Sequence, residues 1–197
     1  MQPTEHTPDE VLGLLMEGNA RFIDGANAFI TNYTHKRAQL TGGQNPVAAV
    51  LTCSDSRVPP QLIFDRTMGD LFIIRVAGGV LDDVGRASLQ FAVEELHVPL
   101  IMVMGHSTCG AVKAAVDNQV HGYYKALTDL LTPALRNARH NHPQGDLWEE
   151  ATKENSRLIT KELTEKSSPL YPRLKTGHLK IQPAFYSLES GHVELFD

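Results

Sequence analysis

The chain has 197 residues, of which 42 % are hydrophobic and 21 % charged, and its formal net charge is −5. This balance is that of an ordinary globular domain. The absence of a basic block or stripe argues against a nucleic acid partner, and apolar runs such as residues 99–104 are far too short to cross a membrane.

The first residues, MQPTEHTPDE, lack the cationic and apolar regions of a secretory signal, and the chain holds only two cysteines. We therefore expect a cytoplasmic protein in a reducing compartment, where neighbouring Cys and His residues more often bind metal or take part in catalysis.

A helix is predicted to begin at Thr7, because Thr7, Pro8 and Glu10 have the pattern of an N-cap, a first-turn proline and a capping box. The following apolar residues keep helical spacing: Val11, Leu14, Leu15 and Phe22. We expect this N-terminal helical arm, about residues 7–40, to pack on a partner subunit.

Three short apolar runs without polar alternation predict strands that are buried on both faces of a parallel sheet. They cover residues 47–52, 71–76 and 99–104, and helices are predicted over 84–96 and 111–116. A strand, a helix and a strand at this spacing form a βαβ unit with a right-handed crossover.

The C-terminal part is predicted as helices followed by strands. Residues 121–168 are mostly helical in pattern, with an interruption expected at Pro133 and a new helix beginning at Asp146. A strand at 179–181 and a terminal hairpin over 184–196 follow. Since no repeat or change of composition marks a boundary, the chain is predicted to be a single domain.

Both cysteines come shortly after predicted strands. Cys53 follows VAAVLT, and Cys109 follows PLIMVMGHST, with His106 three residues before it. Ligands of parallel α/β sheets bind beyond the carboxyl ends of strands, where the strand order reverses, so the three side chains can converge there. Two cysteines and one histidine are a known ligand set of catalytic zinc, with a fourth position left for water or substrate.

Two other interpretations of these residues remain open. Cys53 and Arg57 could be the nucleophile and the anion-binding group of a thiol enzyme, although no glycine-rich phosphate loop lies between them and His106 would have no role. Free cysteines also pack as small hydrophobic side chains, and a metal-binding or scaffold protein with an inactive site is a further alternative. Asp55 is a further candidate metal ligand.

Several segments resemble the β-class carbonic anhydrases: CSDSRVPP (53–60), FDRTMGDLFIIRVAG (64–78), SLQFAVEEL (88–96), PLIMVMGHSTCGAVKA (99–114), GNARF (18–22) and the terminal FYSLESGHVEL. The resemblance implies an α/β fold, with a central sheet of four parallel strands and an antiparallel edge strand flanked by helices. We expect one such domain over residues 1–197, assembled as a homodimer or a higher even homo-oligomer such as a tetramer.

The resemblance also implies the reversible hydration of carbon dioxide to bicarbonate and a proton. One zinc per subunit would be held by Cys53, His106 and Cys109. Asp55 and Arg57 would be the catalytic pair, in which Asp55 orients a zinc-generated hydroxide and Arg57 holds Asp55. In a second, closed state Asp55 would itself be the fourth zinc ligand.

By the same resemblance, Gln44, Phe72 and Phe91 line the carbon dioxide pocket, the two aromatic residues at a dimer interface. Phe91 stands where relatives often have Tyr. Gly79 stands where they usually have an Asn that would support the main chain near the site. Hydrolysis of carbonyl sulfide or carbon disulfide at the same zinc site is the alternative function, and it would depend on the size of the pocket.

Overall fold

The computed structural model of the protein describes residues 6–28, 33–119 and 121–197. Five strands form one sheet: β1 (Ala48–Thr52), β2 (Leu71–Arg75), β3 (Leu100–His106), β4 (Lys180–Tyr186) and β5 (Val193–Leu195). Their order is β2-β1-β3-β4-β5, with β5 antiparallel to β4 and all other neighbours parallel. The predicted sheet of four parallel strands and an antiparallel edge strand is confirmed.

Helices cover both faces of this sheet: α1 (Pro8–Ile23), α2 (Tyr33–Gln39), α3 (Pro60–Ile63), α4 (Asp83–Glu94), α5 (Gly110–Val116), α6 (Tyr124–Asn141), α7 (Leu147–Thr164) and α8 (Tyr171–Lys175), with a 3-10 turn at Ala77–Gly79. Within the described part of the chain, no helix has the length and hydropathy that a membrane crossing requires.

Alternate residues of the central strands enter two separate cores, as the period of a strand requires. In β1, Ala49 and Leu51 face the core formed with α4 and α7, whereas Ala48 and Val50 face the core that includes α1. Every residue of β1 is buried, which explains why this strand appears in the sequence as an uninterrupted apolar run.

The N-terminal helix begins as predicted. Thr7 is its N-cap and forms a reciprocal capping box with Glu10. Its residues Val11 and Leu15 are fully buried in the core of its own chain. Packing of the arm on a partner subunit stays a prediction, and residues 29–32 of the arm lie outside the described residues.

Two predictions in the C-terminal part were wrong. Helix α6 continues through Pro133, because apolar residues on both sides of the proline, Leu131 and Ala134 among them, are fully buried. The terminal hairpin over 184–196 is confirmed, since residues 184–186 of β4 pair antiparallel with β5. The predicted break before it is wrong, because β4 runs without interruption from Lys180 to Tyr186.

The topology creates a crevice at the carboxyl ends of β1 and β3. From β1 the chain first adds β2 on one side and then returns to add β3 on the other side. This reversal of strand order is the place where open α/β sheets bind ligands. Cys53 directly follows β1, and His106 is the last residue of β3.

Candidate metal centre

Cys53, His106 and Cys109 come together at this crevice. One ligand atom from each residue lies within 4.8 Å of the other two, and all three residues are buried. The two Sγ atoms are 3.8 Å apart. Two sulfur ligands of a tetrahedral zinc ion, each about 2.3 Å from the metal, would be separated by about 3.8 Å. The sulfur spacing therefore fits zinc.

The His106 imidazole is oriented for metal binding. Its Nδ1 lies 2.8 Å from the Ser107 carbonyl oxygen, to which it can donate a hydrogen bond, and this leaves Nε2 as the free lone pair. Nε2 is buried, and among the described residues no group forms a hydrogen bond with it. Because a buried polar atom without a partner costs free energy, this nitrogen also fits a metal ligand.

The charges of the two thiols point to a cation as well. By hydrogen bonding to the Cys53 thiolate, the Cys109 thiol lowers the pKa of Cys53 well below its usual value, and the main-chain N–H of Gly78 lowers this pKa further. The thiolate of Cys53, together with burial, raises the pKa of Cys109 far above its usual value. The negative charge of the first thiolate thus opposes ionisation of the second thiol. A divalent cation bound between them would stabilise both thiolates.

Asp55 and Arg57 form a bidentate ion pair beside this cluster. Arg57 donates from Nε to Oδ1 of Asp55 at 3.0 Å and from Nη2 to Oδ2 at 2.7 Å, and its main-chain N–H donates to Oδ1 at 2.9 Å. These bonds hold the pKa of Asp55 well below its usual value. Oδ2 is 4.0 Å from Nε2 of His106, so the carboxylate lies next to the ligand cluster while paired with Arg57.

Arg75 also supports this loop, although no motif in the sequence marks it as part of the site. It is the last residue of β2, and it donates from Nε to the Cys53 carbonyl oxygen at 2.9 Å and from Nη2 to the Asp55 carbonyl oxygen. The only sequence signal was a charged residue at the end of an apolar strand. Arg75, on the neighbouring strand β2, thereby fixes the main chain of residues 53–55.

The predicted pocket residues lie in different settings. The rings of Phe72 and Phe91 are 6.2 Å apart and tilted by 35°. Phe91 is 48 % exposed and Val84, on the same helix, is 74 % exposed, so α4 presents an apolar face to solvent in the single chain. Gln44 is exposed in the loop before β1.

Glycine at position 79 fits the local main chain. Gly78 and Gly79 have φ angles of +77° and +60°, a left-handed conformation that glycine adopts without strain and asparagine tolerates. The 3-10 turn containing both residues contacts Cys53 through the Gly78 N–H, 3.3 Å from Sγ. The residue directly before the position of the expected asparagine therefore contacts the candidate metal centre through its main chain.

Comparisons with known proteins agree with this geometry. Residues 48–193 match the sequence model of a family described as carbonic anhydrase. Carbonic anhydrase 2 of Mycobacterium tuberculosis is 36 % identical over 189 residues, which cover 93 % of this chain and 90 % of that protein. The carbonic anhydrase of Mycolicibacterium smegmatis is 36 % identical over 186 residues, covering 92 % and 89 %.

Solved structures show the same similarity. The β-carbonic anhydrase CcaA superposes with a TM-score of 0.76 at 32 % identity, covering 94 % of this chain and 95 % of that chain. The Coccomyxa β-carbonic anhydrase in complex with acetazolamide gives a TM-score of 0.73 at 26 % identity, covering 94 % and 86 %.

Proposed function

Because the chain belongs to the β-class carbonic anhydrase family, we propose that it binds one zinc ion per chain through Cys53, His106 and Cys109 and catalyses the reversible hydration of carbon dioxide. The observation that carries this proposal is the buried Nε2 of His106, which has no hydrogen-bond partner among the described residues and belongs to the same cluster as two thiols 3.8 Å apart.

Zinc in this position would supply a bound water that is acidic enough to serve as the nucleophile near neutral pH. The two thiolates cancel the charge of the ion, so other residues of the chain must favour the reactive form. Arg57 keeps Asp55 ionised, since its hydrogen bonds lower the pKa of that carboxyl group. Asp55 therefore acts only as a hydrogen-bond acceptor near neutral pH, and by accepting from the nucleophile it orients the lone pair towards the carbon of the substrate.

Arg57 holds Asp55 in this role. Its planar guanidinium contacts both carboxylate oxygens, which fixes the plane of the carboxylate as well as its position. If this pair separated, Asp55 could turn towards the cluster, where its Oδ2 is already 4.0 Å from Nε2 of His106. The closed state in which Asp55 is the fourth ligand would follow from such a turn.

The substrate pocket would be completed by a second copy of the chain. Carbon dioxide is small and carries no net charge, so it requires a dry apolar cavity rather than strong binding groups. Phe72 and Phe91 supply an apolar surface, and the exposure of Phe91 fits a surface that a partner covers. Gln44 would add the one polar group. We propose a homodimer or a higher even oligomer that acts in the cytoplasm.

The test combines metal analysis with stopped-flow carbon dioxide hydration. Asp55→Ala should keep one zinc per chain and lose activity on the order of 100-fold, because it removes the group that orients the nucleophile. Asp129→Ala, which changes an exposed aspartate paired with Lys125 on α6, is the control and should be fully active. A metal-free wild type, or an Asp55→Ala variant with near-normal rates, would contradict the proposal. Activity only on carbonyl sulfide or carbon disulfide would favour the alternative function.

A further inference from the structure

One face of α7 lies against both loops that carry the cysteine ligands. Trp148 and Asn155 are seven residues apart on this helix, which is close to two turns, so their side chains share one face. We propose that Trp148 and Asn155 are positioning residues of the metal centre, each holding the main chain around one thiolate. The inference rests on the proposed function only in requiring that the site binds zinc.

Trp148 acts on the Cys109 loop. Its indole Nε1 donates to the carbonyl oxygen of Cys109 at 2.7 Å. Cys109 is the N-cap residue of α5, and the same carbonyl accepts the main-chain N–H of Lys113 at 3.0 Å. The indole and the first turn of α5 thus fix the peptide that follows the ligand, which restricts the direction of the Cys109 side chain.

Asn155 acts on the turn that contacts Cys53. Its Nδ2 donates to the carbonyl oxygens of Gly78 at 3.3 Å and Gly79 at 3.2 Å, and the residue is only 7 % exposed. Gly78 and Gly79 both have left-handed main-chain conformations, which turn the chain sharply. Their two carbonyl oxygens can therefore accept from the same side-chain amide of Asn155. Gly78 in turn donates its N–H to Sγ of Cys53 at 3.3 Å. Asn155 therefore holds in place the turn whose Gly78 N–H stabilises the Cys53 thiolate.

This arrangement supplies the support that was expected from an asparagine at position 79. The chain has glycine there, and the supporting amide comes instead from a helix about 75 residues later in the sequence. Outer hydrogen bonds of this kind typically change metal affinity by about 10- to 100-fold when they are removed.

The experiment measures zinc affinity by competition with a chromophoric chelator. Trp148→Phe keeps an aromatic ring but loses the N–H donor, and Asn155→Leu keeps a similar volume but loses the amide. Each should weaken zinc binding by about 10- to 100-fold. The cobalt-substituted variants should also show altered thiolate-to-cobalt absorption, which reports the geometry of the sulfur ligands directly.

The matched control is Ile159→Val, on the same helix one turn beyond Asn155. Ile159 is buried in the core under α4, so this change should lower the thermal midpoint while leaving the zinc dissociation constant within about twofold of wild type. The inference is overturned if Trp148→Phe and Asn155→Leu bind zinc as tightly as wild type, or if Ile159→Val weakens zinc equally. A wild type that binds zinc without hydrating carbon dioxide would refute the proposed function alone.

Discussion

Replacing Gly105 with alanine tests how closely α7 must approach the strand that ends in His106. Gly105 is the residue before this proposed zinc ligand in β3. An added Cβ would lie 2.7 Å from Cγ2 of Thr152, 3.2 Å from its carbonyl oxygen and 3.2 Å from Oγ of Ser156. Two carbon atoms prefer a separation of about 3.5–4.0 Å, so the helix or the strand would have to move by about 1 Å.

Thr152 cannot easily relieve this contact by rotation. Its β-branched side chain has few rotamers, and its hydroxyl donates to the Trp148 carbonyl oxygen at 2.9 Å. Overpacking of this kind costs about 1–3 kcal/mol, whereas the smaller conformational freedom of alanine in the unfolded chain returns about 0.4–1 kcal/mol. We expect Gly105→Ala to lower the free energy of unfolding by about 1–2 kcal/mol, which in a chain of this size lowers the melting temperature by about 2–8 °C.

The same shift of α7 should weaken zinc binding. A displacement of about 1 Å would break the hydrogen bonds of Trp148 and Asn155 to the two ligand loops, so we expect about tenfold weaker zinc binding in Gly105→Ala. Calorimetric unfolding and chelator competition measure the two effects on the same samples.

A second substitution provides the decisive comparison. Thr152→Ser deletes the methyl group 2.7 Å from the added Cβ and keeps the hydroxyl, so in the double variant it should restore more than half of the lost stability. Gly13→Ala is the control, because an added Cβ at this helical position meets nothing within 4 Å and should stabilise the protein by about 0.5–1 kcal/mol. If Gly105→Ala is as stable as Gly13→Ala, or if Thr152→Ser does not compensate, the reasoning is refuted.

Three further predictions concern the ion pair, the exposed helix face and α1. Arg57→Ala leaves Asp55 with one main-chain donor, so the carboxylate should turn onto zinc and reduce carbon dioxide hydration at least about tenfold; full activity, with Asp55 away from zinc in a crystal structure, would contradict this. Phe91→Asp places a charge in the exposed face of α4 and should give a monomer in analytical ultracentrifugation, whereas an unchanged oligomer would exclude this face as the interface. Gly18→Ala would bring a Cβ to 1.9 Å from a main-chain oxygen and should cost about 3 kcal/mol or more in urea unfolding; stability equal to that of Gly13→Ala would refute the packing.

The sequence predicted the central sheet because its signals are local. Strands β1 and β3 are buried on both faces, so nearly all their residues are apolar and their ends are marked by polar residues, glycine or proline. The start of α1 could also be predicted from nearby residues, because the side chains of Thr7 and Glu10 each accept a hydrogen bond from the other residue's main-chain N–H within one turn.

The two wrong predictions of element boundaries in the C-terminal part both involved proline. In β4, Pro183 accepts a hydrogen bond at its carbonyl from the N–H of Phe196, which lies on the β5 side of the strand. The N–H and C=O of one strand residue point to the same edge, so the missing N–H removes no bond to β3. In α6, burial of the helix face outweighs the bond lost at Pro133. In both elements the tertiary structure determines whether proline is tolerated. The rule that proline interrupts a strand or a helix considers only neighbouring residues, so it could not predict this outcome.

The same distinction applies to the metal centre. Its proposed ligands lie at the ends of strands, where their residue types and spacing are visible in the sequence. Arg75, Trp148 and Asn155 instead bond to main-chain carbonyl oxygens from distant elements. Every residue has such an acceptor, so the contacted positions carry no recognisable side-chain pattern, and only the folded structure shows them.

The charges of the proposed metal centre explain why Cys53, Asp55 and Arg57 would depend on one another. Two thiolates would neutralise a divalent zinc ion, and a third anion, Asp55, lies within 4.0 Å of the His106 ligand nitrogen. Without compensation, that carboxylate would be attracted to the ion and block the substrate position. Arg57 neutralises it through two hydrogen bonds, and Arg75 places a second positive charge against the same loop. Asp55, Arg57 and Arg75 together carry one net positive charge beside the neutral zinc–dithiolate unit, which would favour an anionic nucleophile despite the two sulfur ligands.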